Sequence, residues 1–242
     1  MTSSRHTVSP DAGLDERLRE LDADERPLDP SRMDAMYAAM RSECEQSDKS
    51  VRGFLRGRST LARRLILLVV FTALGVVALI NLPMVDESMR DGSWMMTLFA
   101  FVVLLLVSMM VVTRPVHRPE PSRWAIVCLV GVAVGATVLA AFWPSSSAHA
   151  ATHQHASGLM AGICMGVGVL LGVPVYAALR LVDRGNAFGS LVAAAAAGLA
   201  GNLILKAHCA IDTTGHVLLG HASVAVLFVV GLGLVHRWIP SK

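Results

Sequence analysis

Histidine and cysteine are the residues of this chain whose types and spacing could do chemistry. His208 and Cys209 are adjacent, His216 and His221 follow shortly after them, and Cys164 lies one long apolar stretch earlier. Thiolate sulfur and imidazole nitrogen form a borderline-soft ligand set that suits zinc or copper. We therefore predict a metal-binding or redox-sensing site made of Cys164, His208, Cys209, His216 and His221.

Two other interpretations of this group stay open. Cys164 and Cys209 could form a disulfide in an oxidising periplasm. Alternatively, the histidines could be interfacial and the cysteines could pack as small apolar residues. The spacing from His208 to His221 is not a recognised zinc signature, and the chain contains no CxxC motif.

The remaining cysteines and the nearby histidines have simpler explanations. His149, His153 and His155 share one loop without Lys or Arg and are expected to be solvated. Cys128 lies in an apolar stretch and is expected to serve packing, and Cys44 is expected to be a reduced, structural thiol.

The elements that must position these side chains are apolar and long. The chain has 242 residues, of which 54% are hydrophobic and only 16% charged, whereas soluble proteins have about 25% charged residues. A soluble enzyme is therefore excluded. Six apolar stretches are each long enough for a helix to cross the ~30 Å hydrocarbon core of a bilayer. They are Leu65–Leu82, Trp94–Val112, Trp124–Phe142, Gly158–Leu179, Phe188–Leu205 and Val217–Val235. We predict an all-α protein, a polytopic six-helix transmembrane bundle with a short cytosolic N-terminal amphipathic helical segment.

Small residues predict which spans pack closely. Nine of the thirteen residues from 189 to 201 in the fifth span are Gly or Ala, which permits close helix approach. The fourth span is expected to pack against it through Gly158, Gly162, Gly166 and Gly168. No span carries a charged residue at its centre, so the usual signature of an ion path is missing.

Charge is distributed unevenly along the chain and predicts its orientation. Residues 1–62 hold 10 of the 21 Lys and Arg and 12 of the 18 Asp and Glu, so we divide the chain into a cytosolic docking segment, 1–62, and a transmembrane domain, 63–242. Lys and Arg cluster before the first span, in the second and fourth loops and in the tail. The positive-inside rule then places both termini in the cytoplasm of a bacterial inner-membrane protein.

The N-terminal segment has the features of a docking element. Residues 11–48 carry a net charge of −7, followed by a basic stretch, 49–64, that suits anionic lipid headgroups. Two helices, at about 14–24 and 30–46, each present an apolar stripe. The stripes are Leu14, Leu18 and Leu21, then Met33, Met36, Tyr37 and Met40. So small a unit seldom buries its own core, so the stripes are expected to bind a basic partner in a helix-in-groove mode. The alternative is that they pack on each other or on the basic loops beneath the membrane.

Several motifs of the second half of the chain form a pattern found in a known family. They are Cys164 in the fourth span, Arg180 and Arg184-Gly185 after it, His208-Cys209 at the end of the fifth span, and His216 to His221 at the start of the sixth. In this pattern the chain resembles the NrsF-like membrane anti-sigma factors, a group to which the CarR type is similar. The resemblance covers residues 60–240 by architecture and 158–225 by motif. It implies that the cytosolic segment holds an extracytoplasmic-function (ECF) sigma factor at the membrane and releases it on a signal.

Other functions fit the sequence less well. The formal net charge of +3 is too small to indicate direct nucleic-acid binding. An enzyme would need a general base near the histidines and cysteines, and Asp212 is the one nearby carboxylate, so no enzymatic activity is expected. A small six-span transporter or a metal-binding membrane protein is the alternative function, but neither needs an acidic amphipathic N-terminus.

Overall fold

The chain forms two compact units, residues 1–50 and 51–242. The computed structural model describes residues 30–48, 50–82, 84–85, 91–115, 117–143, 157–183, 188–211 and 213–232. All regular secondary structure within these ranges is helical, so the predicted all-α class is confirmed.

The first unit contains one described helix, α1 (Pro30–Asp48). Its start agrees with the sequence, because Asp29-Pro30 places proline at the first helical position, where its missing N–H leaves no hydrogen bond unmade. The predicted helix at 14–24, with Leu14, Leu18 and Leu21, lies outside the described residues.

The second unit consists of a short helix and six long ones. They are α2 (Val51–Gly57), α3 (Thr60–Asn81), α4 (Gly92–Val112), α5 (Arg123–Phe142), α6 (Ser157–Val182), α7 (Gly189–His208) and α8 (Thr214–Leu232). Helices α3 to α8 are long and apolar enough to cross a membrane, which confirms the six predicted spans. Large apolar side chains on their outer faces, such as Ile80, Phe99 and Leu170, are 70–78% exposed, as lipid-facing residues must be. The chain is a multi-pass membrane protein.

Polar side chains fix where three of the spans begin. Ser59, Asp91 and Ser122 are the N-cap residues of α3, α4 and α5. Each side-chain oxygen accepts a hydrogen bond from the backbone N–H three residues later, at 2.8–3.2 Å. These bonds satisfy donors that a helix start would otherwise leave unpaired.

Helix α7 lies at the centre of the bundle. It packs against α4, α5, α6 and α8, and 78% of its apolar stretch is buried, against 11% for α3. Its central residues from Val192 to Ala197 are almost completely inaccessible. Alanine and glycine surfaces let four neighbouring helices approach one axis, because no long side chain holds them apart.

The predicted close packing of the fourth and fifth spans is present, but the expected glycine face is partly wrong. A Cβ on Gly201 would lie 2.5 Å from the carbonyl oxygen of Gly168, and one on Gly172 would lie 2.8 Å from the carbonyl oxygen of Ala197. Gly158, Gly162 and Gly166 instead have open space where a Cβ would point. A helix that is apolar all round carries no polar face to fix its rotation, so small residues alone did not identify the packed face.

Candidate metal centre

Four of the predicted ligands meet at one end of the bundle. Cys164 is in the second turn of α6, Cys209 is the C-cap residue of α7, and His216 and His221 lie in the first turns of α8. One ligand atom from each residue lies within 4.8 Å of all the others. We call these four residues the Cys/His cluster.

The end of α7 is held in place by two hydrogen bonds from outside the helix. The indole Nε1 of Trp94 donates to the carbonyl of Lys206 at 2.9 Å, and the backbone N–H of Val85 donates to the carbonyl of Ala207 at 3.2 Å. The last carbonyls of a helix have no partner within it, so these bonds stabilise the final turn. They fix the position of Cys209, whose own N–H donates to Leu205 at 2.7 Å.

A π-helical segment brings the two histidines together. Five residues of an α-helix span about 1.4 turns, which would place His216 and His221 about 140° apart. Residues Val217–Ala222 are π-helical, with hydrogen bonds from i to i+5, so that residues five apart approach the same face. The two imidazole rings meet edge to face with their centroids 5.4 Å apart.

A glycine allows α8 to reach α6 at this level. A Cβ on Gly220 would lie 3.1 Å from the carbonyl oxygen of Ala161 and 3.4 Å from the Cβ of Cys164. Even an alanine at this position would require its neighbours in α6 to move by a few tenths of an ångström. Gly220 therefore brings the histidines of α8 next to the thiol of α6.

The distances within the cluster suit metal binding. The sulfur atoms of Cys164 and Cys209 are 3.7 Å apart, and the sulfur of Cys209 is 3.2 Å from Nε2 of His216. In a regular tetrahedron with Zn–S bonds of about 2.3 Å, two sulfur atoms lie about 3.8 Å apart. A disulfide bond is about 2.05 Å long, so the two thiols are not bonded to each other here.

Both histidines are buried. His216 is inaccessible and His221 is 4% exposed, whereas the two cysteines are intermediate. Nδ1 of His216 has no hydrogen-bond partner among the described residues. Nε2 of His216 is the nitrogen that faces Cys209, so Nδ1 is not the atom that would bind an ion in this cluster.

The remaining predicted residues lie elsewhere. His208, the last residue of α7, does not belong to the group whose ligand atoms lie within 4.8 Å of one another. Cys128 is exposed on the outer face of α5 rather than packed inside. The loop with His149, His153 and His155 lies outside the described residues, as does the side chain of Cys44.

A second polar site, at the opposite end of α6, was missed by the sequence analysis. The guanidinium of Arg63, in the first turn of α3, is completely buried. It donates to the carbonyl of Val182 at 2.9 Å and to the carbonyl of Thr113 at 3.3 Å, the ends of α6 and α4. We call Arg63, Thr113 and Val182 the Arg63 junction. In the sequence, Arg63 is one of the positive charges before the first span that predict the orientation of the chain.

Charged side chains surround the Arg63 junction. Arg180 and the buried Asp183 form an ion pair at 2.6 Å. Burial lowers the pKa of Arg56, in α2, and the neighbouring Arg52 lowers it further, while Asp183 opposes this shift. The charge of Arg56 in α2 therefore interacts with the charges of Arg180 and Asp183 at the end of α6.

The predicted docking residues of α1 are all exposed. Met33, Met36, Tyr37 and Met40 are 38%, 57%, 62% and 45% accessible. Positions i, i+3, i+4 and i+7 share one face of a helix, so these four side chains form one continuous apolar surface. We call it the Met/Tyr face.

Comparison of the chain with protein-family models, with curated proteins and with solved structures finds no match.

Proposed function

We propose that the protein is a membrane-bound anti-sigma factor of the bacterial inner membrane. Its cytosolic N-terminal segment binds an ECF sigma factor, keeps it from RNA polymerase, and releases it when a signal reaches the membrane domain. The observation that carries this proposal is the exposed Met/Tyr face on an acidic helix that precedes six membrane spans.

The Met/Tyr face has the properties of a helix-in-groove ligand. Its three methionines are unbranched and polarizable, so they adapt to an apolar groove, and Tyr37 adds a large ring with a polar tip. The surrounding residues 11–48 carry a net charge of −7. Sigma factors are basic helical DNA-binding proteins, so the charges favour association and the apolar face supplies the affinity.

A signal has a physical route from the membrane domain to the start of the first span. Helix α6 carries Cys164 near one end and Val182 at the other, about 27 Å apart at 1.5 Å per residue. Val182 accepts the hydrogen bond from Arg63, in the first turn of the first span. A shift of α6 caused at the Cys/His cluster would change this hydrogen bond. Helix α3, which contains Arg63, follows α1 and α2 along the chain.

The alternative, a metal-binding membrane protein, is favoured by the Cys/His cluster itself. A transporter is less well supported, because the charged residues buried among the described spans, Arg63 and Lys206, lie near helix ends. Metal binding does not compete with the proposed function, since the cluster and the docking segment are separate parts of the chain.

A pair of single substitutions in α1 tests the proposal. The full-length protein in lipid nanodiscs is titrated with an ECF sigma factor of the same cell, and binding is measured by fluorescence anisotropy. Met36→Asp is expected to weaken binding by about 2–4 kcal/mol, because an unpaired carboxylate replaces an apolar contact in the groove. Ala35→Asp introduces the same charge on the opposite face of the same exposed helix and is the matched control.

The two variants must differ if the Met/Tyr face is the contact. Equal affinity of wild type, Met36→Asp and Ala35→Asp would remove this face from the interface. No binding by the wild-type protein, with this sigma factor or any other ECF sigma factor of the same cell, would refute the proposed function.

A further inference from the structure

We propose that the Cys/His cluster binds a single zinc ion through four protein ligands, Cys164, Cys209, His216 and His221. The inference concerns metal binding alone and stands whether or not the chain binds a sigma factor.

The spacing of the four donor atoms fits tetrahedral zinc. A tetrahedral zinc site needs four donor atoms separated by roughly 3.3–3.8 Å, given Zn–S bonds of about 2.3 Å and Zn–N bonds of about 2.0 Å. The 3.7 Å between the two sulfur atoms matches this spacing, and the 3.2 Å from Cys209 Sγ to His216 Nε2 is only slightly shorter. All four donors lie within 4.8 Å of one another, so small side-chain rotations close the tetrahedron.

The electrostatics of the site select the ion. Binding of Zn²⁺ displaces one proton from each cysteine, and the two thiolates and two neutral imidazoles then leave a site with no net charge. A neutral site is the least costly to bury among membrane helices, and both histidines are buried. Cu⁺ with the same four ligands would leave one uncompensated negative charge.

The number of protein ligands indicates the role of the site. Four protein ligands fill the coordination of zinc and leave no position for water or substrate, which is typical of structural sites. The ligands come from the start of α6, the end of α7 and the start of α8. The ion would therefore join three spans rather than catalyse a reaction.

Metal content and spectroscopy test the site in the full-length protein. The protein is purified in nanodiscs under reducing conditions, stripped with a chelator, incubated with Zn²⁺ alone and desalted, and its zinc is measured by mass spectrometry. We expect one zinc per chain. Co²⁺ in place of Zn²⁺ should give the intense visible bands of tetrahedral cobalt together with thiolate-to-cobalt charge transfer. A parallel incubation with Cu⁺ tests the choice of ion.

Variants separate the four ligands from their neighbours. Cys209→Ser and His221→Ala should each weaken zinc binding by more than about 100-fold, because the loss of a ligand exceeds the 10- to 100-fold effect of outer-shell changes. Cys128→Ser, an exposed cysteine of α5, and His208→Ala, next to a ligand but outside the cluster, should both bind like wild type.

Four results would overturn the inference. Wild-type protein that takes up no zinc, or gives an octahedral cobalt spectrum, has no such site, and neither result depends on how any variant folds. Uptake of Cu⁺ with exclusion of Zn²⁺ would refute the electrostatic argument. Equal loss of binding in His208→Ala and His221→Ala would refute the ligand set.

Discussion

Substitution of Arg63 by Met is expected to destabilise the membrane domain strongly. The guanidinium is completely buried and donates to the carbonyl oxygens of Val182 and Thr113 at 2.9 and 3.3 Å. Both carbonyls belong to helix ends, where no partner within the helix is available. Methionine keeps the apolar stem but satisfies neither carbonyl.

The size of the effect follows from these two bonds. A hydrogen bond with a charged donor contributes about 1.5–3 kcal/mol, so the loss of both predicts a decrease of about 3–6 kcal/mol in the free energy of unfolding. Two further contacts, to Thr60 and Arg114 at 3.4 Å, are too long to add much. Arg63→Lys keeps the charge but lacks the planar fork, so it should lose about half as much.

Reversible unfolding in mixed micelles, followed by tryptophan fluorescence, measures the difference. Arg64→Met is the matched control, since it removes a neighbouring positive charge that is partly exposed and makes one hydrogen bond, to Thr113 Oγ1 at 3.2 Å. It should cost about 1 kcal/mol or less. Equal stability of the two methionine variants would show that the Arg63 junction does not hold the helices together.

Two further predictions concern topology and packing. Reporter fusions after Ala150 should be periplasmic and fusions after Asp183 cytoplasmic, because Lys and Arg cluster in the even-numbered loops; a cytoplasmic signal at Ala150 would contradict the predicted orientation. Gly201→Ala should lower the free energy of unfolding by about 1–3 kcal/mol, because its Cβ would lie 2.5 Å from the backbone oxygen of Gly168. Gly162→Ala faces open space and should be neutral or slightly stabilising, which the same unfolding assay checks.

The elements of the fold were predictable from sequence, whereas their contacts were not. Span length and hydropathy follow from the residue types along the chain, so all six helices could be predicted. The rotation of each helix about its axis was not predictable, because a membrane helix is apolar on every side. For this reason Gly158 and Gly162 were assigned to a packed face that Gly168 and Gly172 occupy.

The sequence also could not distinguish the residues of the Cys/His cluster from their neighbours. Placement at the ends of spans brought five candidate ligands to one membrane level, but His208 does not belong to the group whose ligand atoms lie within 4.8 Å of one another. The pairing of His216 with His221 depends on a π-helical segment, which has no signal in the sequence. The carbonyl partners of Arg63, Thr113 and Val182, lie at the ends of α4 and α6, far away along the chain, so no local pattern could have identified them.

Transcription from a promoter that depends on the ECF sigma factor tests the central claim most directly. If the protein is an anti-sigma factor, reporter activity should be high in cells that lack it and low when the wild-type chain is restored. Activity should be high again when the restored chain carries Met36→Asp. Low activity should return with Ala35→Asp. Reporter activity that is the same with and without the wild-type protein would contradict the account.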